Sequence, residues 1–253
     1  MAFRRTFAPL VLLLASCSPG GLNVVGRAPN SLQQDMVAHW SCDDTGTTLV
    51  DHSGNGHDGV IAGATWISGH FGGALHFDSG NSVVVGGVGE PFPDATASWS
   101  VSLWVSPASS NSGDWATLIS TEIPFVGGWE MNLELPADYT GLQYHFAYAV
   151  ESDAGPYEYW DCPCVDVDQW THLVVVVDGS AMQLSFYKNS FLQSESPITD
   201  LIQPGSPALY LARWSGDERY FVGDLDDIVI YKRALGKDEV LSLFQKPAPS
   251  ISP

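Results

Sequence analysis

The segment from Glu151 to Trp170 concentrates side chains that could bind a ligand, with Tyr157, Tyr159, Trp160 and Asp161 close together. Aromatic faces stack on the C–H bonds of sugar rings, and a neighbouring carboxylate accepts hydrogen bonds from sugar hydroxyls. The same residue types anchor protein partners, or they cover an exposed edge of a core. We predict a loop here. A loop of this length is usually functional or disordered, and a disulfide in it would argue against disorder, so we take it as the first candidate site.

The N-terminus has the features of an export signal. Arg4 and Arg5 precede an apolar run from Phe7 to Leu14, which is too short to span a bilayer. The run ends in Leu14-Ala15-Ser16-Cys17, which resembles the lipobox of bacterial lipoproteins. The resemblance implies cleavage before Cys17 and lipid on that cysteine, with an ordinary secretory signal as the alternative. Ser18 follows instead of Asp, which favours the outer membrane of a Gram-negative envelope, facing the periplasm or the cell exterior.

Three cysteines remain once Cys17 carries lipid, namely Cys42, Cys162 and Cys164. An exported protein enters an oxidising compartment, where one disulfide and one free thiol are the simplest arrangement. A ring closed between Cys162 and Cys164 would be strained, since only one residue separates them. We therefore expect a bridge either within the segment or from it to Cys42, with metal binding by the three thiols a weaker alternative.

Charge and composition exclude several classes of protein. The chain has 29 acidic residues against 10 basic ones, and loss of Arg4 and Arg5 makes the mature chain more acidic still. Such a surface repels phosphate backbones, so nucleic acid is not an expected partner. Hydrophobic residues reach 45% and include nine Trp, which excludes disorder and predicts a well-filled core.

Short strands broken by turn residues follow a polar tether at residues 17–35. Along Ser98–Val105 apolar and serine positions alternate, except that Trp104 falls on the serine face. The run Leu173–Val177 is apolar on both faces, which is typical of a central strand. A helix is predicted at 237–244 and a loose tail at 247–253. Further strands are expected at 74–77, 82–85, 117–121, 129–135, 142–150, 171–178, 183–188, 208–213 and 221–231. The pattern therefore indicates an all-β, two-sheet antiparallel sandwich with one short C-terminal helix.

An ordered series of motifs then resembles the laminin-G-like, concanavalin A-like jelly-roll domains of secreted bacterial proteins. The resemblance covers residues 36–246 and implies that the first strand lies beside the last, so that Trp40 and Leu225 share one core. The motifs that carry it are Ala38–Asp44, Asp51–Gly59, Gly69–Asp78, Ser100–Val105, Trp170–Leu173, Leu184–Asn189 and Phe221–Leu235.

The same resemblance implies a structural calcium site near the junction of the first and last strands. Asp43 and Asp44 match the acidic end of the first motif, Asp226 matches that of the last, and Asp51 would complete the set. Calcium takes six to eight oxygen ligands, which separate segments can supply together. The alternative is that Asp43, Asp44 and Asp51 form turns while Asp227 is solvated.

An enzymatic role rests on Glu130, Asn132 and Glu134, which come close to the E-x-D-x-E strand of concanavalin-fold glucanases. Strand alternation would place both carboxylates on one face, as a retaining glycosidase requires. Asn132 stands where that motif has its middle Asp, and no histidine has a nucleophile suitably near. We therefore predict no catalytic residues.

The sequence thus predicts a membrane-anchored, non-catalytic binding module for carbohydrate binding or adhesion at the cell surface. A structural or protein-binding envelope lipoprotein is the alternative, and a glycan hydrolase or lyase is the weakest candidate. If the concave face of the sandwich is the site, Trp104, Trp129 and Tyr144 are second-rank ligand residues. The expected domain boundaries are 1–16 for the signal peptide, 17–35 for the tether, 36–246 for the jelly roll and 247–253 for the tail.

Overall fold

A computed structural model describes residues 31–86, 98–111, 115–121, 127–134, 142–149, 157–198, 205–216 and 218–248, with backbone alone for 142–149 and 157–164. These residues contain a 3-10 helix, Ser31–Gln33, and one α-helix, α1 (Lys237–Gln245). The strands are β1 (Met36–Trp40), β2 (Thr48–Leu49), β3 (Gly59–Ala62), β4 (Thr65–Ser68), β5 (Gly73–Phe77), β6 (Ser82–Val85), β7 (Trp99–Pro107), β8 (Ala116–Ser120), β9 (Trp129–Glu134), β10 (Leu142–Ala149), β11 (Tyr157–Val165), β12 (Thr171–Asp178), β13 (Gln183–Lys188), β14 (Phe191–Pro197), β15 (Leu209–Leu211) and β16 (Gly223–Tyr231).

The strands form two antiparallel sheets of eight strands each, so the predicted two-sheet sandwich is confirmed. Sheet A has the order β14-β13-β12-β7-β16-β5-β4, and β1 pairs with the second half of β16. Sheet B has the order β11-β10-β9-β8-β15-β6-β3-β2. The first and last strands are therefore neighbours, as the family resemblance implied.

The main core lies between the two sheets. Trp40 and Leu225 are both fully buried in it, which confirms their expected meeting. The alternation of β7 is also confirmed, because Val101, Leu103 and Val105 join this core. Leu173–Val177 falls on β12, which has β7 on one side and β13 on the other. The central position explains why that run is apolar on both faces.

A second apolar layer covers the outer face of sheet A. Helix α1 packs Val240 and Leu243 onto Val174 and Val229, which alternate with core residues on β12 and β16. The predicted helix is confirmed, but its buried face differs from the predicted one, since Leu241 is 41% exposed. Leu243 takes its place because positions three apart share a helix face.

Strand β1 is held along both edges. One edge pairs with β16. On the other, Asn55 Nδ2 donates to the carbonyls of Met36 and Val37 at 2.9 Å, and the backbone N–H of His52 donates to the carbonyl of His39 at 2.7 Å. The first strand is thereby built into sheet A.

Both predicted flexible ends are partly packed. Leu32 belongs to the stretch predicted as a tether, yet it is 6% exposed and lies in the layer around α1. Ala248 belongs to the predicted loose tail, yet its backbone N–H donates to Asp227 Oδ2 at 2.9 Å. The packed domain thus extends beyond the predicted limits of 36 and 246.

The predicted loop at 151–170 is wrong for its central part, because Tyr157–Val165 is strand β11 at the edge of sheet B. Pro163 hid this strand from the sequence pattern. Proline is tolerated at a sheet edge or a bulge, and the pairing of β10 with β11 shifts at this point, between Cys162 and Val165.

Within the described ranges, no helix has the length and apolar character needed to span a bilayer.

Candidate functional site

Asp51, one of the four predicted calcium ligands, is a structural residue. Its carboxylate accepts hydrogen bonds from the backbone N–H groups of His39, Ser53 and His57 at 2.9–3.0 Å, and from Ser53 Oγ at 2.8 Å. Burial raises the pKa of Asp51, but these donors outweigh it and hold the pKa below the usual value. The carboxylate is fully occupied by the chain itself.

Asp43 and Asp44 also serve backbone groups. Asp43 Oδ1 accepts from the N–H of Gly73 at 2.7 Å, and Asp44 Oδ2 accepts from the N–H of Val50 at 3.2 Å. The turn-forming alternative describes Asp51, which accepts from the N–H of Ser53 two residues later, but not Asp43, whose partner Gly73 is 30 residues away. Its other half, a solvated Asp227, is wrong, since Asp227 is 3% exposed and contacts His39 Nε2 at 2.7 Å.

Asp226 differs from the other three predicted ligands. Its Oδ2 accepts from the N–H of Phe71 at 2.8 Å, whereas its buried Oδ1 has no hydrogen-bond partner among the described residues. Burial, reinforced by the nearby negative charge of Asp227, raises the pKa of Asp226 to about 7. Within the described ranges no three His, Cys, Asp or Glu side chains form a group that could hold a metal. The four predicted carboxylates are thus not gathered into one calcium site.

The two second-rank tryptophans occupy different places from those expected. Trp129 points into the main core and packs against Trp99, with ring centroids 4.9 Å apart, so it is not available to a ligand on either outer face. Trp104 lies on the outer face of sheet A, not on sheet B. Both were assigned to a concave face from aromatic character alone, which does not fix the direction of a side chain.

The cysteines are only partly described. The thiol of Cys42 is free and buried, so the structure contains no bridge from Cys42. The side chains of Cys162 and Cys164, like those of Tyr144, Tyr157, Tyr159, Trp160 and Asp161, lie outside the described residues. Cys17 lies outside them entirely.

The outer face of sheet B carries the former enzyme candidates. Trp129, Met131 and Leu133 of β9 point into the core, so Glu130 and Asn132 alternate with them onto the other face. Even there they are 3% and 0% exposed. The side-chain N and O of Asn132 have no hydrogen-bond partner among the described residues.

Strand register connects this face with the aromatic segment singled out in the sequence. Asn132 pairs with His145 on β10, and His145 pairs with Asp161 on β11. Since neighbouring strands are about 4.8 Å apart, Asp161 lies on the same rung as Asn132 at a backbone distance of about 10 Å. The rung through Glu130 leads likewise to Tyr159, through Ala147.

A short hairpin after β15 supplies a cation to the same face. The hairpin is closed by hydrogen bonds from Trp214 N to the carbonyl of Glu218 and from Phe221 N to that of Ala212, each 3.0 Å. From it, the Arg219 guanidinium lies over the ring of Trp214 and contacts Glu130 Oε1 at 3.2 Å. Sequence reasoning missed Arg219, because 89 residues separate it from Glu130.

The groups on this face can be compared with those that glycoside hydrolysis requires. A retaining glycosidase needs a carboxylic acid that gives a proton and a second, free carboxylate. Here Glu130 is ion-paired with Arg219, and the residue between Glu130 and Glu134 is the neutral Asn132. On sheet A, Ser102 Oγ contacts His172 Nε2 at 2.8 Å, so the expectation that no histidine has a nucleophile near it is wrong for His172. His172 Nδ1 has no hydrogen-bond partner among the described residues, so no acid orients this imidazole as in a Ser-His-Asp triad.

Comparison with known proteins agrees with this architecture. A family profile described as the concanavalin A-like lectin/glucanases superfamily matches residues 77–241. No match was found among curated proteins.

Several solved structures are similar to the chain. The binding domain of Paraclostridial Mosquitocidal Protein 1 aligns with a TM-score of 0.67 and 18% identity, over 84% of this chain and 52% of that one. The botulinum neurotoxin serotype D binding domain aligns with a TM-score of 0.65 and 16% identity, over 85% and 53% of the two chains. This chain therefore spans about half the length of those two proteins.

A third similar structure is matched along nearly its whole length. Domain 4 of AbnA, a GH43 extracellular arabinanase from Geobacillus stearothermophilus, was solved in complex with arabinotriose. It aligns with a TM-score of 0.60 and 22% identity, over 83% of this chain and 98% of that one. At these identities the three likenesses show a shared fold.

Proposed function

Because the chain belongs to the concanavalin A-like lectin/glucanases superfamily, we propose that it is a non-catalytic module that binds carbohydrate on the outer face of sheet B. The observation that carries the proposal is the buried, unpartnered amide of Asn132. A buried polar group without a partner costs about 1–3 kcal/mol, so its retention calls for a partner. Because Asn132 is 0% exposed, a ligand can supply that partner only when the side chains that cover the amide turn aside. An amide both donates and accepts, as does a sugar hydroxyl.

The neighbours of Asn132 support a sugar ligand. The Glu130–Arg219 pair offers a fixed acceptor and a fixed donor beside the amide. The aromatic stretch Tyr157–Trp160 lies on a strand of the same sheet, two strands away from β9. Among the similar structures, AbnA domain 4 holds arabinotriose, and the two toxin structures are binding domains. A protein receptor is therefore the second candidate ligand.

The test is a glycan array followed by calorimetry on wild type and Asn132→Leu. Leucine has a similar size and no polar atoms, so we expect binding to fall at least about tenfold while stability rises by about 1 kcal/mol. Trp129→Phe, a core change on the same strand, is the matched control and should keep the affinity. Absence of glycan binding by the wild type, or equal binding by Asn132→Leu, would refute the proposal. Binding to an envelope protein alone would favour the second candidate.

The non-catalytic part of the proposal has its own test. The ion-paired Glu130 and the neutral Asn132 support it, because neither supplies a free acid. Any polysaccharide retained on the array should be recovered uncut after long incubation with the protein. Release of reducing ends, lost in Glu130→Gln, would show instead that the chain is an enzyme.

We further propose that lipid on Cys17 confines the domain to the bacterial envelope. The proposal is supported by Leu14-Ala15-Ser16-Cys17 after a basic and apolar N-terminus. Several acyl chains hold a protein firmly, since each buried CH₂ contributes about 0.8 kcal/mol. In a bacterial host, Cys17→Ser should move the protein from the membrane to the soluble fraction, while Cys42→Ser should not. Equal fractionation of both variants would count against the anchor.

Calcium is retained as a proposal for Asp226, where backbone carbonyls and water would have to supply most of its six to eight oxygen ligands, since the described carboxylates form no group of three. Its support is the buried Oδ1 with no partner among the described residues. Hard cations prefer carboxylate oxygens, so calcium added to EDTA-treated protein should raise the melting temperature of wild type but not of Asp226→Asn. An unchanged melting temperature for the wild type would end the proposal.

A further inference from the structure

Three residues far apart in sequence form one rung on the outer face of sheet A. Trp104 of β7 pairs with Asp226 of β16 on one side and with His172 of β12 on the other. Their exposed fractions are 2%, 0% and 0%. Leu103 and Leu173, next to them in the chain, face the main core, so the rung lies on the opposite side of sheet A.

Each member of the rung has a buried polar atom that lacks a hydrogen-bond partner among the described residues. These atoms are Oδ1 of Asp226, Nε1 of Trp104 and Nδ1 of His172. The other polar atoms of two members are already bonded, because Asp226 Oδ2 accepts from the N–H of Phe71 and His172 Nε2 contacts Ser102 Oγ. Buried polar atoms nearly always have a hydrogen-bond partner, so three unpartnered atoms side by side indicate a binding place for a polar ligand, here called the guest.

Three rings from outside the rung lie against Trp104 in the described part of the chain, and of these Phe71 and Phe244 are half-buried while His70 is exposed. The imidazole of His70 stacks on Trp104, with ring centroids 3.5 Å apart and planes inclined by 19°. Within the described part of the chain the His70 side chain has ring contacts with Phe71, Trp104 and Trp170 and no hydrogen bond. A rotation about its own side-chain bonds would therefore uncover the face of Trp104.

The backbone under this cover is fixed. The N–H of Gly69 donates to the carbonyl of Gly72 at 2.8 Å, and a Cβ at Gly69 would lie only 2.8 Å from Asp226 Oδ2. On the helix side, Phe244 lies parallel to Trp104 with centroids 5.5 Å apart. The Gly69 turn and Phe244 thus bound the place on two sides, and the His70 side chain, which has no hydrogen bond to a described residue, is the part that can turn away.

We propose that the rung Asp226–Trp104–His172 is a second carbohydrate subsite, in which a sugar ring replaces the His70 imidazole on Trp104. A ring stacked on the indole would place its hydroxyls over the rung. One hydroxyl can accept from Trp104 Nε1–H and donate to Asp226 Oδ1, which a group limited to donating or accepting cannot do. The site lies on the face of the sandwich opposite to Asn132, so it does not depend on the sheet B proposal.

Other guests fit the rung less well. An anion would meet the carboxylates of Asp226, Asp227 and Asp43, whose charges already act on one another. Calcium, also proposed for Asp226, would compete with a sugar for Oδ1, but it would meet the indole N–H of Trp104, which only donates. A neutral polyhydroxylated molecule satisfies both the donor and the acceptor.

The test follows the indole N–H resonance of Trp104 while saccharides are added to the intact protein. The nine Trp resonances include one that disappears in Trp104→Phe, which assigns it. His70→Ala uncovers the indole, whereas His70→Phe keeps it covered by a ring of similar shape. We expect the Trp104 resonance to shift at a saccharide concentration at least about tenfold lower in His70→Ala than in His70→Phe. In His70→Ala the indole is always uncovered, whereas in His70→Phe only the fraction of molecules whose ring has turned away can bind.

The controls separate this subsite from the sheet B site. Asn132→Leu should leave the Trp104 shift unchanged, so failure at one face is distinguishable from failure at the other. His70→Ser serves in place of His70→Ala if that variant folds poorly, as judged by its melting temperature. A Trp104 resonance that no mono- or oligosaccharide moves in the uncovered variants would overturn the proposal and leave an ordered water as the only guest.

Discussion

Replacement of His172 by glutamine should change how the stability of the protein depends on pH. His172 is fully buried, and burial, reinforced by the nearby His70, lowers its pKa to about 3. An unfolded chain binds the proton with a pKa of about 6.5. Between these two values the unfolded state holds more protons than the folded state, so stability is lost as pH falls.

The size of the effect follows from the same two values. At pH 5 the unfolded state gains RT ln(1 + 10^1.5), about 2 kcal/mol, from protonation of this histidine. At pH 8 the gain is close to zero. Asp226 acts with the opposite sign in this range, because its pKa is raised to about 7 and its contribution to stability is lost as pH rises. The informative quantity is therefore the difference between variant and wild type, in which Asp226 is common to both.

The assay is urea unfolding followed by tryptophan fluorescence at pH 8, 7, 6 and 5. His172→Gln keeps a polar group near Ser102 Oγ but does not titrate, so its deficit relative to wild type should shrink by about 2 kcal/mol between pH 8 and pH 5. His76→Gln, a half-exposed position paired with Asp224, is the control for loss of a histidine elsewhere. A deficit that stays constant to within about 0.5 kcal/mol would show that His172 takes up a proton in the fold and would refute the reasoning.

In calcium-free buffer, Asp226→Asn should become more stable relative to wild type as pH rises from 5 to 8, by up to about 3 kcal/mol. The reason is that the wild-type carboxylate must ionise while it is buried. A stability difference that does not change with pH in urea titrations would contradict this. Asp51→Ala should lose about 3 kcal/mol in denaturant unfolding because three backbone N–H groups lose their acceptor. Gly46→Ala and Gly72→Ala form a matched pair at positive φ, +95° and +74°, but only a Cβ at Gly72 would overlap Asp43 Oδ1. We expect a loss of about 1 kcal/mol for the first and clearly more for the second by thermal melting, and equal losses would show that the Asp43 contact is not tight.

Strands with one strictly buried face were the part of the fold that the sequence predicted well. Val101, Leu103 and Val105 repeat every second residue, and that period alone assigns β7 and its core face. The unpredicted β3, β4 and β14 have exposed positions such as Val60 at 68% and Phe191 at 71%, so no alternation marks them. Of these, β4 and β14 are the two edges of sheet A, where half of the backbone pairing is absent.

The candidate sites depended on register, which no local pattern contains. Trp104 on the serine face of β7 was a correct signal of something unusual, but its partners Asp226 and His172 are set by pairing across three strands. The pairing of β7 with β16 shifts between Asp226 and Val229, and a one-residue slip would turn Asp226 to the other face. The ion pair of Arg219 with Glu130 likewise exists only once the hairpin after β15 is folded back over sheet B.

The double-edged attachment of β1 has a mechanical consequence. Tension applied through the chain before residue 31 is carried first by the packed Leu32 and by the hydrogen bonds to the carbonyls of Gln34 and Asp35. Beyond them it acts along β1. The bonds to β16 on one edge, and those to Asn55 and His52 on the other, run across that direction. A pull along the strand must shear these bonds together instead of opening them one at a time. A domain held by its N-terminal side would therefore resist unfolding when a ligand bound to its opposite side is pulled away.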